Sequence, residues 1–152
     1  MSPPPAPVVG VGGVVIHAGR ALLIRRGKQP LYGRWVVPGG TVELGEPLAA
    51  ALVREMREET CLEVEPVELL TVFDRIEREG ESVLYHFVIV DYLCRYVSGE
   101  ARAASDALEV AWAAPEELDR FDLPPKALEV VQDAFRRAQP CVAAPAPAKA
   151  SS

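Results

Sequence analysis

The sequence predicts an α/β protein: a mixed β-sheet sandwich with helices flanking the sheet. Three observations carry this reading. Strand-like segments outnumber helical ones, only residues 47–60 and 125–138 have helical periodicity, and the two kinds do not alternate in a repeating βαβ rhythm. A chain of 152 residues suits one domain. A domain of this size buries roughly two-thirds of its unfolded surface, so it needs no disulfide or metal scaffold. A composition 49% hydrophobic and 25% charged excludes wholesale disorder.

Taken in order, residues 8–16 are β-branched and glycine-interrupted, and residues 21–24 are apolar; His17-Ala18-Gly19-Arg20 between them reads as a hairpin turn. Residues 27–34 form a loop, and Trp35-Val36-Val37 is a short strand stopped by Pro38-Gly39-Gly40. Residues 47–60 are helical, with Pro47 in the first turn, Glu46 or Gly45 near the cap, and Ala49, Leu52, Val53 and Met56 on one inward side. Residues 67–76 and 82–96 are strands joined by Arg78-Glu79-Gly80-Glu81, and residues 108–112 form another. Pro115-Glu116-Glu117-Leu118 makes one helical turn, and residues 125–138 close the fold as an amphipathic helix with Leu128, Val131 and Phe135 inward. The Pro/Ala-rich ends, residues 1–7 and 139–152, are expected to be disordered tails around a folded body of residues 8–138.

A net charge of −6 argues against nucleic-acid binding, which depends on Lys and Arg neutralising phosphates, and against anionic membrane surfaces. A small phosphate-bearing ligand stays open if a few local cations or a metal offset the charge. Cys61, Cys94 and Cys141 have no zinc or redox spacing, which favours a reducing compartment. The Met1 end has no signal-peptide profile and no apolar run, residues 87–90 included, is long enough to cross a bilayer; a cytoplasmic location is expected.

The chemistry concentrates in residues 40–62. At about 100° per residue, Glu55, Glu58 and Glu59 share one arc of the helix, opposite Leu52, Val53 and Met56. Carboxylates spaced this way repel one another, and Glu58 and Glu59 also lie near the negative end of the helix dipole. Acidic helix faces are usually just solvated. Here, however, the conflict recurs with other features at fixed offsets, and local rules broken together concentrate at functional sites. A hard divalent cation such as Mg²⁺ would resolve it. Arg54, four residues before Glu58, could pair with it; Glu46 adds a fourth carboxylate, and Gly39-Gly40 would let the backbone approach a metal or a phosphate.

These offsets resemble the Nudix box: Gly, five residues, Glu, seven residues, Arg-Glu, an apolar residue, any residue, Glu-Glu, any residue, Gly, apolar. Gly40, Glu46, Arg54, Glu55, Met56, Glu58, Glu59 and Leu62 match it, and only the last glycine differs, being Cys61. Trp35-Val36-Val37-Pro38-Gly39-Gly40 is similar to the family's approach to the box. At the glycine position a left-handed backbone is frequent, and a Cys there costs about 1 kcal/mol if its φ is positive. An inert, partly buried thiol is expected rather than a reactive one.

The resemblance implies a Nudix fold with a loop-helix-loop box and hydrolysis of a nucleoside diphosphate linked to another moiety: a nucleotide, a nucleotide sugar such as ADP-ribose, or a nucleoside triphosphate. It implies Mg²⁺ as cofactor, with Mn²⁺ as an alternative. Glu55, Glu58 and Glu59 would hold the metal, Gly39 would add its carbonyl, and Arg54 would orient a carboxylate. Glu46 would support the helix start or the metal shell. The general base stays open between Glu55 and a later loop that offers Asp106 and Glu109. Arg25, Arg34 and Tyr85 are candidate substrate contacts, with Tyr85 and Phe87 on one strand face and His86 on the other. The proline that marks ADP-ribose pyrophosphatases downstream of the box is absent, with Glu77 near that point, which weakens ADP-ribose. The alternative is a catalytically silent Nudix-like nucleotide-binding or regulatory module. Relatives often pair, and the strand near Val8 could add to a partner's sheet edge in a homodimer.

Overall fold

The computed structural model describes residues 6–138. Residues 1–5 and 139–152, most of the predicted tails, lie outside them. Seven strands form one mixed sheet: β1 (Val8–His17), β2 (Arg20–Arg26), β3 (Trp35–Val36), β4 (Gly39–Thr41), β5 (Glu63–Glu79), β6 (Ser82–Ser98) and β7 (Ala107–Ala113). Helix α1 (Leu48–Thr60) covers one face and α2 (Pro125–Ala138) the other, with a 3₁₀ helix over Pro115–Phe121 between β7 and α2.

β1 pairs in parallel with β6, and every other pairing is antiparallel. β1 and β2 are joined by the predicted turn, where Ala18 and Gly19 both have positive φ as a tight hairpin turn requires. They pair only beside that turn, at Ile16↔Ala21 and His17↔Arg20, and then fork. β3 fills the fork against β2 and β4 fills it against β1. Gly39-Gly40, expected to stop a strand, is therefore itself a strand, clamped in register with Gly12 and Val11.

β1 is buried on both faces. Val11 and Val15 pack with Leu52, Met56 and Leu62 beneath α1, while Val14 packs with Leu23, Leu93 and Val131 beneath α2. Leu52 and Met56 are wholly buried, worth roughly 1.5–3 kcal/mol each. Ala51 takes the inward place predicted for Ala49, which is exposed, because the helix starts at Leu48 with Pro47 as its cap rather than in its first turn. In α2, Val131 is buried as expected, but Ala127, Val130 and Ala134 form the innermost line, and Leu128 and Phe135 flank it.

β5 and β6 run several residues beyond their predicted ends, as a long twisted hairpin with four register shifts. The strand near Val8 has no free edge: β6 pairs with it on one side, and Val42 N–H donates to Val9 O on the other. The sheet ends instead at β5, whose Val67, Leu69, Val72 and Ile76 are exposed.

α1 ends on Cys61 in the left-handed region, φ 66°, with its N–H donating to Arg57 O. The thiol is exposed, not partly buried as expected. Cys61→Gly is therefore expected to stabilise the fold by roughly 0.5–1 kcal/mol, the relief of φ strain exceeding the entropy that glycine adds to the unfolded chain. Thermal denaturation would show this as a rise in Tm of about 2 °C.

Candidate active site

The fork places Gly39-Gly40 directly against the acidic face of α1. A Cβ on Gly40 would lie 2.2 Å from the Glu55 carboxyl carbon, so the carboxylate rests on bare backbone. Gly39 N–H donates to Glu59 Oε1 at 3.0 Å. Arg54 organises the rest. Its guanidinium donates to Glu46 at 2.7 and 2.9 Å, to Glu55 at 3.1 Å, to Glu58 at 3.2 Å and to Thr41 O at 3.1 Å. One residue thus ties the box loop, the strand and the helix together, as a planar fork of donors can. Glu46 belongs to this scaffold: its carboxylate also accepts from Glu43 N–H, and Arg54 holds its pKa down to about 2.

The loop between β6 and β7 is bound to the end of the helix. Arg102 N–H donates to Thr60 O and Ala104 N–H to Glu59 O, which satisfies carbonyls the helix leaves unpaired. That contact carries Asp106 to the rim of a cavity of about 360 Å³, where it pairs with Lys28 at 3.0 Å.

Glu55, Glu58 and Glu59 all line this cavity. Glu59 is 5% exposed, and its pKa is raised to about 7, first by burial and then by Glu55 and Asp106, against the Gly39 amide and Arg26. Burial also raises Glu55, with Glu58 adding to the shift and Arg54 opposing it. Glu58 is half exposed and held only by Arg54.

Of the other predicted residues, Tyr85 lines the cavity beside Phe87, their rings nearly parallel with centroids 6.2 Å apart, while His86 turns away to Asp74. Arg25 does not line it: it binds Gly33 O and the Glu109 carboxylate, which takes Glu109 out of the cavity as well. Arg34 reaches Asp122 O instead. The cavity cations are Arg26, Lys28 and Arg75. The sequence reading chose Arg25 as a substrate contact, whereas its neighbour Arg26, across a shift in the β2–β7 register, is the one that lines the cavity; it also missed Lys28, Arg75 and Asp91. Asp91 was within reach, since it continues the alternation of Tyr85 and Phe87. Arg75 depends on the β5–β6 register, which bulges shift.

Among the described residues no three acidic, histidine or cysteine side chains form a ready-made metal cluster. The donors nevertheless suit a hard cation: two desolvated carboxylates that repel each other and a third at the cavity mouth, all oxygen ligands.

A family profile described as NUDIX domain matches residues 6–134. Over 133 residues the chain is 32% identical to an ADP-ribose pyrophosphatase of Methanocaldococcus jannaschii, covering 86% of this chain and 74% of that protein. It is 33% identical over 121 residues to the Homo sapiens 8-oxo-dGDP phosphatase NUDT18, covering 72% of this chain and 35% of that one. The crystal structure of a MutT NUDIX hydrolase from Burkholderia pseudomallei shares 32% identity and superposes with a TM-score of 0.70, covering 88% of this chain and 99% of that one. The chain belongs to the Nudix family. It is a hydrolase acting on phosphoanhydride bonds, of a kind that generally uses divalent metal ions.

Proposed function

We propose that the chain hydrolyses a nucleoside diphosphate derivative with Mg²⁺, and that Mn²⁺ can substitute. The observation that carries this is the pair of mutually repelling carboxylates, half-buried Glu55 and buried Glu59, facing the same cavity as Arg26, Lys28 and Arg75. Glu55, Glu58 and Glu59, with the Gly39 carbonyl, would hold the metal. When bound, a divalent cation neutralises charge developing on the phosphoryl oxygens.

The chain's own residues do the rest. Arg26 and Lys28 attract the diphosphate, Arg54 holds Glu55 and Glu58 in place, and Tyr85 and Phe87 offer aromatic surface. Between the two loop candidates for general base, Asp106 lines the cavity and Glu109 is engaged by Arg25, so Asp106 joins Glu55 as the candidate. The relatives' substrates, ADP-ribose and 8-oxo-dGDP, both meet the chemical requirement of a phosphoanhydride attached to a nucleoside. No helix among the described residues is long and apolar enough to cross a membrane. The exposed apolar residues of β5 are the better candidate for pairing in a homodimer.

Product analysis over a panel of nucleoside di- and triphosphates, nucleotide sugars and ADP-ribose tests this reading. Release of a nucleotide in Mg²⁺ or Mn²⁺, abolished by EDTA and restored by added metal, is expected. A panel that yields no product with either metal would overturn it.

A further inference from the structure

Beyond the carboxylate face the cavity continues across the sheet. Gly39, Gly12 and Asp91 form one row over β4, β1 and β6. At about 4.8 Å per strand this row is about 10 Å long, comparable to the span from a 5′-phosphate to the far edge of its base. Phe73, Arg75, Tyr85 and Phe87 line the same cavity, a flat aromatic surroundings for a ring. Asp91 is 3% exposed, and its Oδ1 has no hydrogen-bond partner. The carboxylate occupies space that exists only because residue 12 is glycine: a Cβ there would lie 2.3 Å from Oδ1. Arg75, half-buried, likewise makes no ion pair or side-chain hydrogen bond among the described residues. Buried polar groups are normally partnered, so an orphaned carboxylate at the end of a nucleotide-sized cavity calls for donors from a ligand.

We propose that Asp91 reads the nucleobase and selects guanine. A carboxylate can only accept, and among the common bases only guanine offers two adjacent donors, N1–H and the N2 amino group. Adenine and cytosine set a ring-nitrogen acceptor beside their amino group, and uracil or thymine flanks its one N–H with carbonyls; each would turn a lone pair toward Asp91. Arg75 provides donors of the kind that O6 and N7 of guanine accept. The N1–H and N2 edge is the same in guanine and its 8-oxo derivative, so Asp91 admits both; in the latter N7 carries a proton, and Arg75 would be left O6 as its acceptor. Burial pushes the Asp91 carboxyl up to about 6, opposed by Arg75 and Lys126, in keeping with a group that lacks donors until a ligand brings them.

The inference rests on the proposed nucleotide site, and its test separates the two. The full chain is titrated calorimetrically with GDP and with ADP in MgCl₂, and turnover of GTP and ATP is followed in parallel. GDP is expected to bind about tenfold tighter or better. Asp91→Asn, which puts a donor beside an acceptor as adenine requires, is expected to move the GDP/ADP ratio at least about tenfold toward ADP, with no loss of thermal stability. A purely structural Asp91 would lower Tm and leave the ratio unchanged. Equal affinities in the wild type, or a ratio that Asp91→Asn does not move, would overturn the proposal even if both triphosphates are hydrolysed. A guanine preference that depends on Asp91 without turnover would uphold it while refuting hydrolysis. Should the variant fail to fold, the wild-type ratio still decides.

Discussion

Glu59→Gln is expected to lower turnover by about two to three orders of magnitude or more while the protein folds normally. Glutamine keeps the shape and still accepts from the Gly39 amide, but it removes the negative charge that a divalent cation would need. Its effect on metal-free stability has the opposite sign. The Glu59 pKa stands at about 7 when folded and at 4.5 for the free group. Folding therefore retains a proton that the unfolded chain releases. The resulting penalty is absent below about 4.5, accumulates between 4.5 and 7, and is fully present above 7. At pH 8 in EDTA, Glu59→Gln should be the more stable protein, by on the order of 2–3 kcal/mol, and near pH 4 the two should coincide. Denaturant unfolding at the two pH values measures this. Glu58→Gln provides the complement: that side chain is half exposed and touches only Arg54, so it should cost activity with little change in stability. Unchanged turnover in both variants would refute the carboxylate assignment.

Gly39→Ala is expected to be the most destabilising single methyl in the site. The new Cβ would lie 2.0 Å from Val11 O and 2.7 Å from Gly12 Cα, both backbone atoms of the central strand. Neither can rotate away, so β4 must separate from β1, at a cost of about 3 kcal/mol or more. The displaced amide also releases Glu59, so activity should fall with stability. Two neighbouring glycines act as controls. Gly40→Ala presses on the Glu55 carboxylate, a side chain that can move; it should lose activity while unfolding at close to the wild-type midpoint. Gly45→Ala meets no atom within 4 Å and bears only the strain of a φ of 85°, about 1 kcal/mol, with activity kept. A Gly39→Ala protein with a wild-type denaturation midpoint would contradict the packing described for the fork.

The parts of the site legible in the sequence are those that one helical turn defines. Glu55, Glu58 and Glu59 share a face because α-helical periodicity puts them there, and Arg54 reaches Glu58 because they are four apart. The same locality revealed the hairpin turn and the shared face of Tyr85 and Phe87. What escaped depends on distant segments meeting. Glu46 was a candidate for the metal shell until Arg54, eight residues on, claimed it. Arg25 and Glu109 were separate candidates, and strand pairing between β2 and β7 sets them side by side, neutralising both outside the cavity.

The sequence by itself determined the chemistry: which acidic groups crowd together, on what element, and at what spacing, because a helix converts sequence separation into angle without help from the rest of the chain. The tertiary structure alone decided which of them are desolvated, which basic residues face them, and that an unpaired carboxylate from β6 closes the far end of the cavity. Burial and charge pairing are set by what lies across space, and in this fold the decisive neighbours come from a fork between β1 and β2 and from bulged pairing in β5 and β6, whose registers no local pattern specifies.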